Sequence, residues 1–266
     1  MNCEMIKTSN MRFSKLFTDN KSGSLELLVE LHEHLKNEKK ILQIFPELID
    51  FAAKQFRSFQ NIQVYLAEMK SALRKEKKLE VFFDKYDRYF KDSLKLLLLN
   101  AGKILKPYSS FITISNSKTV LEVLKHLRVS NPELKVIVCE SRPMLEGRLL
   151  AKSLIASKIK VRLITESMIY QFIDKVDAAI TGADAILGNG DVINKSGSSL
   201  LGFGCQQFNK PFYVVADRKK FTKSKRYSAK KMPPEEIWRQ YPEKIKIENY
   251  YFERIEKKLI TEIISD

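Results

Sequence analysis

Five short apolar runs recur through the second part of the chain: Phe111–Ser115, Val136–Cys139, Val161–Thr165, Val176–Ile180 and Phe212–Val215. Helix-compatible stretches separate them, among them Lys118–Leu127 and a stretch from about Leu145 to Ser157. Apolar runs of this length between turn residues read as strands, and a continuously apolar strand is one buried on both faces. Strands that alternate with helices form βαβ units, which assemble into a parallel, doubly wound sheet. The fold class expected is therefore α/β. Residues 22–104 lack strand-like alternation and read differently. Ser22-Gly23-Ser24 precedes a stretch whose Leu25, Leu28, Val29, Leu31 and Leu35 fall near helical spacing, with Ser22 or Ser24 as its N-cap. Ile41–Ser58, Asn61–Lys75 and Lys78–Ile104 read as further helices. An N-terminal helical domain over residues 1–105 and an α/β domain over 106–266 are thus expected, the texture changing near Lys106-Pro107. Residues 1–20 read as irregular or partly helical, and Tyr250–Ile264 as a last strand or helix.

In open α/β sheets ligands bind outside the carboxyl ends of the strands, so the residues just beyond each run matter most. The stretch VDAAITGADAILGNGDVINKSGSSL, residues 176–200, is the richest. It puts Asp184 just past a strand, a turn at Gly188–Asp191, then Asn194-Lys195, then Ser196–Ser199 ahead of an apolar helix. Free backbone N–H groups at such a helix start favour an anion such as phosphate. Two ordinary turns and a capped helix account for the same residues equally well. Thr113–Lys118 ends the first strand, and Ser115, Ser117 and Lys118 suit an anion or a sugar oxygen, although helix capping alone also explains them. Arg142, in Glu140-Ser141-Arg142-Pro143, is placed for bidentate phosphate contact, or for a structural pair with Glu140 or Asp184. Arg148 and Lys152 read as solvent-facing, and Cys139 as core.

The 266 residues carry a formal charge of +15, which fits RNA, an acidic protein partner, or simply a solvated lysine-rich surface. The densest cluster, Arg218–Lys231, interleaves Phe221 and Tyr227 with its cations as nucleic-acid binders do, but a flexible charged loop is the better reading, because charge runs usually only solvate. No apolar run reaches the roughly 18 residues that cross a bilayer, and the start has no secretory pattern. Cys3, Cys139 and Cys205 are few and far apart, which suits a reducing cytoplasm and no metal site. His32 and His34 point to different faces of a helix and make a poor metal pair.

CESRPMLEGRLLAKSL, TGADAILGNGDVINKSGSSL, NKPFYVVADRKKF and NYYFERIEKKLITEII together resemble the translation initiation factor 2B α/β/δ family. That family also contains the methylthioribose-1-phosphate and ribose-1,5-bisphosphate isomerases. The resemblance spans most of residues 109–266 and, more weakly, the helical first domain. It implies a helical bundle followed by a Rossmann-like domain, dimerisation through the latter, and a phosphorylated sugar or nucleotide held between the two. In the isomerases a cysteine after the first strand works with the aspartate of the GAD motif to move hydrogen between C1 and C2 of the sugar. Asp184 matches the aspartate, while the cysteine position falls on Ser115. The enzymes' RGA arginine loop matches Ser22-Gly23-Ser24, with Lys21 as the adjacent cation, and Arg142, Asn194 and Lys195 match family positions. A serine hydroxyl is a far weaker acid than a thiol. The expectation is therefore a regulatory, non-catalytic binder of a phosphorylated small molecule, cytoplasmic, homodimeric and without cofactor. The alternatives are an aldose-1-phosphate to ketose-1-phosphate isomerase and, more weakly, RNA or translation-factor binding through 218–231.

Overall fold

The computed structural model describes residues 11–37, 47–74 and 79–266. The expected helical turns over Ile41–Pro46 lie outside these. The first region is helical: α1 (Met11–Thr18), α2 (Ser24–Asn37), α3 (Glu47–Gln55), α4 (Gln60–Arg74) and α5 (Leu79–Leu105). Leu27, Leu28, Leu31 and Leu35 recur at three- and four-residue spacing, so one stripe of α2 meets Ile62, Tyr65, Leu66 and Met69 of α4. Phe82, Phe83 and Tyr86 from the start of α5 complete that core. The far end of α5 does something else. Its Leu97, Ala101 and Leu105 pack into the core of the second region, so one 27-residue helix belongs to both.

The second region is a six-stranded parallel sheet in the order β3-β2-β1-β4-β7-β9. Its strands are β1 (Ser110–Ile114), β2 (Lys135–Cys139), β3 (Lys160–Ile164), β4 (Ala178–Thr181), β7 (Phe212–Val215) and β9 (Glu262–Ile264). Side chains alternate across it. Val136 and Val138 face α6 (Lys118–Ser130) and α7 (Gly147–Ala156), while Ile137 and Cys139 face α8 (Ile169–Phe172) and α9 (Ser198–Gln207). Helices thus cover both faces of β1, β2, β4 and β7, which explains why these read as apolar runs, whereas the edge strand β3 is mostly exposed and carries Arg162.

Two features depart from the sequence reading. The Gly188–Asp191 turn closes a hairpin, β5 (Ala185–Ile186) and β6 (Val192–Lys195), which pairs with β8 (Phe252–Ile255) into a small antiparallel sheet of its own. The tail supplies both β8 and, after a turn at Lys257–Leu259, the outermost parallel strand β9. The order of the main sheet reverses between β1 and β4. Loops leaving those two strands diverge there, and the crevice between them faces the helical region. No described helix is long and apolar enough to cross a membrane.

Candidate functional site

The crevice is walled by the loop after β1, the loop after β4, the end of β6 and the Asp19–Ser24 turn of the helical region. Its volume is about 130 Å³. One water needs roughly 10–15 Å³, so a small polar molecule fits there. The helical region is tied to the sheet at the site itself. Asn116 donates to the Lys21 carbonyl at 3.4 Å, and the Gln60 N–H donates to the Asp184 carbonyl at 3.1 Å. A Cβ on Gly23 would come within 2.7 Å of the Asn116 carbonyl oxygen, so this contact requires glycine.

Ser115 sits in the left-handed region, φ 73°, as does Ser141, φ 69°. Such backbone is sparsely populated by non-glycine residues and persists where surrounding bonds hold it. Here the Ser115 N–H donates to the Ser141 hydroxyl at 2.8 Å, which donates on to the Cys139 carbonyl at 3.1 Å. The Ser141 N–H donates to Glu166 at 2.6 Å. Ser117 caps α6, accepting from the Val120 N–H at 3.3 Å. A Cβ on Gly182 would lie 2.6 Å from that capping oxygen, so the GAD loop passes too closely for any side chain.

Two buried carboxylates face the cleft. Asp184 is 8% exposed, and burial pushes its carboxyl above the usual range against the opposing pull of Lys220, the Ser24 hydroxyl and Lys195. Glu146 is also raised by burial, against the pull of Lys195, whose ammonium lies 2.7 Å from its Oε1. Ser115 donates to the same Oε1 at 3.4 Å, while Glu146 Oε2 is buried without a hydrogen-bond partner. The Lys195 ammonium also lies 4.7 Å from the centre of the Tyr251 ring. Asn194 donates to Ser198 at 2.8 Å, and Ser198 donates back to the Lys195 carbonyl at 2.6 Å, which fixes the end of β6.

Ser22, Gly23, Ser24, Ser115, Ser117, Lys118, Asp184, Asn194 and Lys195 all line this one cleft. Arg142 does not: it is exposed, outside the lining, and pairs with neither Glu140 nor Asp184. Glu140 is held by Arg148 instead, at 2.7 Å. The anion site expected at Ser196–Ser199 is already filled. Glu253 Oε1 accepts from the Gly197 and Ser199 N–H groups at 2.9 and 2.7 Å, so the chain's own carboxylate occupies the start of α9.

Glu146, Lys220 and Tyr251 also line the cleft and are not singled out by the sequence. Lys220 hides inside the basic run, yet it is 3% exposed and donates to the Ala183 carbonyl. Its neighbours are engaged too. Arg218 binds Asp266, and Lys219 reaches Glu68 at 2.8 Å and lies over the Tyr86 and Tyr89 rings. The free-loop reading of Arg218–Lys231 therefore fails for its first three residues.

Among the described residues one group, His32, Glu33 and Asp87, gathers ligand-type atoms within 4.8 Å. Both His32 nitrogens are already partnered, by Tyr65 at 3.2 Å and Asp87 at 3.0 Å, and Lys36 takes the other Asp87 oxygen at 2.6 Å. An ion would have to displace an ammonium, so this is a polar brace inside the helical core rather than a metal centre.

The fold and site define a two-region protein: a helical bundle packed against a doubly wound domain, with a polar cleft at the sheet's switch point. Over residues 18–266 the chain belongs to the initiation factor 2 subunit family. It is 28% identical over 220 residues to a translation initiation factor eIF-2B subunit 2-like protein of Pyrococcus furiosus, covering 82% of this chain and 77% of that one. It is 32% identical over 173 residues to the ribose 1,5-bisphosphate isomerase of Archaeoglobus fulgidus, covering 62% of this chain and 54% of that enzyme. Its fold matches the crystal structure of Pyrococcus horikoshii translation initiation factor eIF-2B with a TM-score of 0.76 at 24% identity, covering 100% and 96% of the two chains.

Proposed function

We propose that the cleft binds a phosphorylated sugar or nucleotide and that the protein is a regulatory, non-catalytic binder. The observation that carries this is the charge of the lining. Lys21, Lys118, Lys195, Lys220 and Lys230 converge on a small cavity with only Asp19, Glu146 and Asp184 opposing them. A net positive pocket, partly buried, selects an anion. Non-catalysis rests on Ser115, a hydroxyl at the position where the resemblance places a thiol, and on the exposed Arg142 standing off the cleft. The test is thermal unfolding of the protein with AMP, GMP and sugar phosphates. A ligand at 100 times its dissociation constant stabilises by about 2.7 kcal/mol, and that shift should vanish in Lys195→Ala. No shift with any phosphorylated compound would sink the reading.

A second reading, an aldose-1-phosphate to ketose-1-phosphate isomerase, is favoured by Asp184. A buried carboxyl with a raised pKa in a cleft is the state a general acid–base requires. Turnover of ribose-1,5-bisphosphate or methylthioribose-1-phosphate that disappears in Asp184→Asn would replace the first reading with this one. Binding of RNA or a translation factor through 218–231 now rests on Lys223, Lys225 and Arg226, which stay exposed. It requires a steep salt dependence. The family resemblance further supports a homodimer, for which the exposed Tyr170 of α8 with Leu200 and Phe203 of α9 offer apolar surface.

A further inference from the structure

We propose that Glu146 is a built-in counter-anion, holding Lys195 in the free cleft and yielding it to the bound anion while taking up a proton from solvent. This rests on the reading of the cleft as an anion site. The geometry supplies the competition. Lys195 is 3% exposed and Glu146 6%, and their 2.7 Å contact lies in the wall of the cavity. An anion that takes the Lys195 ammonium leaves a sealed carboxylate unpaired and beside a second negative charge. Glu146 Oε2 already lacks a partner, and Ser115 offers Oε1 a single hydroxyl at 3.4 Å. A buried, unpaired carboxylate does not stay charged; it protonates.

The groups facing Glu146 are few. Lys195 comes from β6, the Ser115 hydroxyl from the loop after β1, Tyr251 from the segment before β8, and the backbone N–H of Glu146 itself also favours the charged carboxylate. Lys21, Lys118, Lys220, Lys230, Asp19 and Asp184 line the rest of the cleft. No other carboxylate touches the Lys195 ammonium among the described residues. The sign follows. Binding raises the Glu146 pKa above its ligand-free value, so affinity is greatest in acid and falls as pH rises between the two values.

The probe is inorganic sulfate, whose own charge is constant across the range, titrated calorimetrically in two buffers of different ionisation enthalpy. Wild-type protein should take up close to one proton per sulfate, its affinity falling by up to about tenfold per pH unit. Glu146→Gln keeps the shape, removes the charge, and should bind sulfate at least about tenfold more tightly at the alkaline end, with no proton uptake. Asp184→Asn tells the cleft's two buried carboxyls apart: where Glu146 is the group that takes the proton, uptake persists in this variant. Sulfate bound by Glu146→Gln alone supports the proposal. Equal affinity and equal pH dependence in wild type and Glu146→Gln overturn it, as does proton uptake lost in Asp184→Asn instead. Sulfate that binds neither protein also overturns it, because releasing Lys195 would have gained nothing. The cleft reading stands or falls separately, on the nucleotide and sugar-phosphate shifts.

Discussion

Asp184 is placed by the chain just past β4, sealed from water, and only partly compensated by Lys220, Lys195 and Ser24. Because its folded pKa lies above the unfolded one, the folded state holds that proton more tightly. Stability is then fully present below the unfolded carboxylate value and is lost as pH rises through the folded one. Asp184→Asn should therefore raise the stability at neutral pH by about 1 kcal/mol or more, with the gain fading to nothing in acid. Urea titrations across pH check this; a variant less stable at neutral pH would mean that the charge on Lys220 needs the carboxylate. Legibility at this scale was uneven. Asp184 and Lys195 announce themselves because a strand end precedes or contains them. Glu146 does not, since nothing in SRPMLEG distinguishes a carboxylate that turns inward from Arg142, which turns out. Lys220 is hidden for the opposite reason, as one lysine in a run whose neighbours also carry charge. Burial of a single side chain depends on what packs over it, and that comes from elsewhere in the chain.

At the scale of elements, the apolar runs gave strands within a residue or two; β1, β2, β4 and β7 are covered on both faces, which leaves an unbroken signal, while the edge strand β3 is mostly exposed and its run carries Arg162. The small sheet was not legible: β5 is two residues long, too short for any period to show. Its hairpin turn is held instead by Asp191. The Lys257 N–H donates to its Oδ1 at 2.8 Å, Asn189 donates to its Oδ2 at 2.8 Å, and Arg254 binds the same Oδ2. Burial raises the Asp191 carboxyl, but these donors more than offset it and hold the pKa below the usual range. The stability so gained is present above the unfolded value and lost as pH falls through the folded one. Asp191→Asn should cost about 1–3 kcal/mol at neutral pH, and less in acid, as read by thermal unfolding. A neutral result would show that Arg254 is carried by solvent alone. The start of α9 teaches the complementary lesson. Its Ser-Gly-Ser sequence is a sound anion-binding signal, and it does bind an anion, but the anion is Glu253, 56 residues further along.

The whole molecule is organised by α5. Its first turns lie in the helical core and its last in the sheet domain, so neither core can dissolve without losing part of the same helix. Polar contacts reinforce the junction. The Tyr89 hydroxyl on α5 donates to the buried Asp217 at 2.9 Å, Asn100 donates to the Ser265 carbonyl at 2.8 Å, and Lys219 crosses to Glu68. Lys220, next in the chain, lines the cleft, so the contact that joins the regions also positions one of the cleft's cations. We expect a single calorimetric transition, with calorimetric and van't Hoff enthalpies equal, moved as a whole by any ligand of the cleft. Tyr89→Phe removes one donor from a buried carboxylate and should lower that one midpoint by about 1–3 kcal/mol in stability, leaving it single, and should weaken ligand binding through Lys220. Two resolved transitions, with ligand shifting only the later one, would mean that α5 frays between its two cores. The cleft would then be a property of the sheet domain alone, and the Asp19–Ser24 turn a bystander to binding.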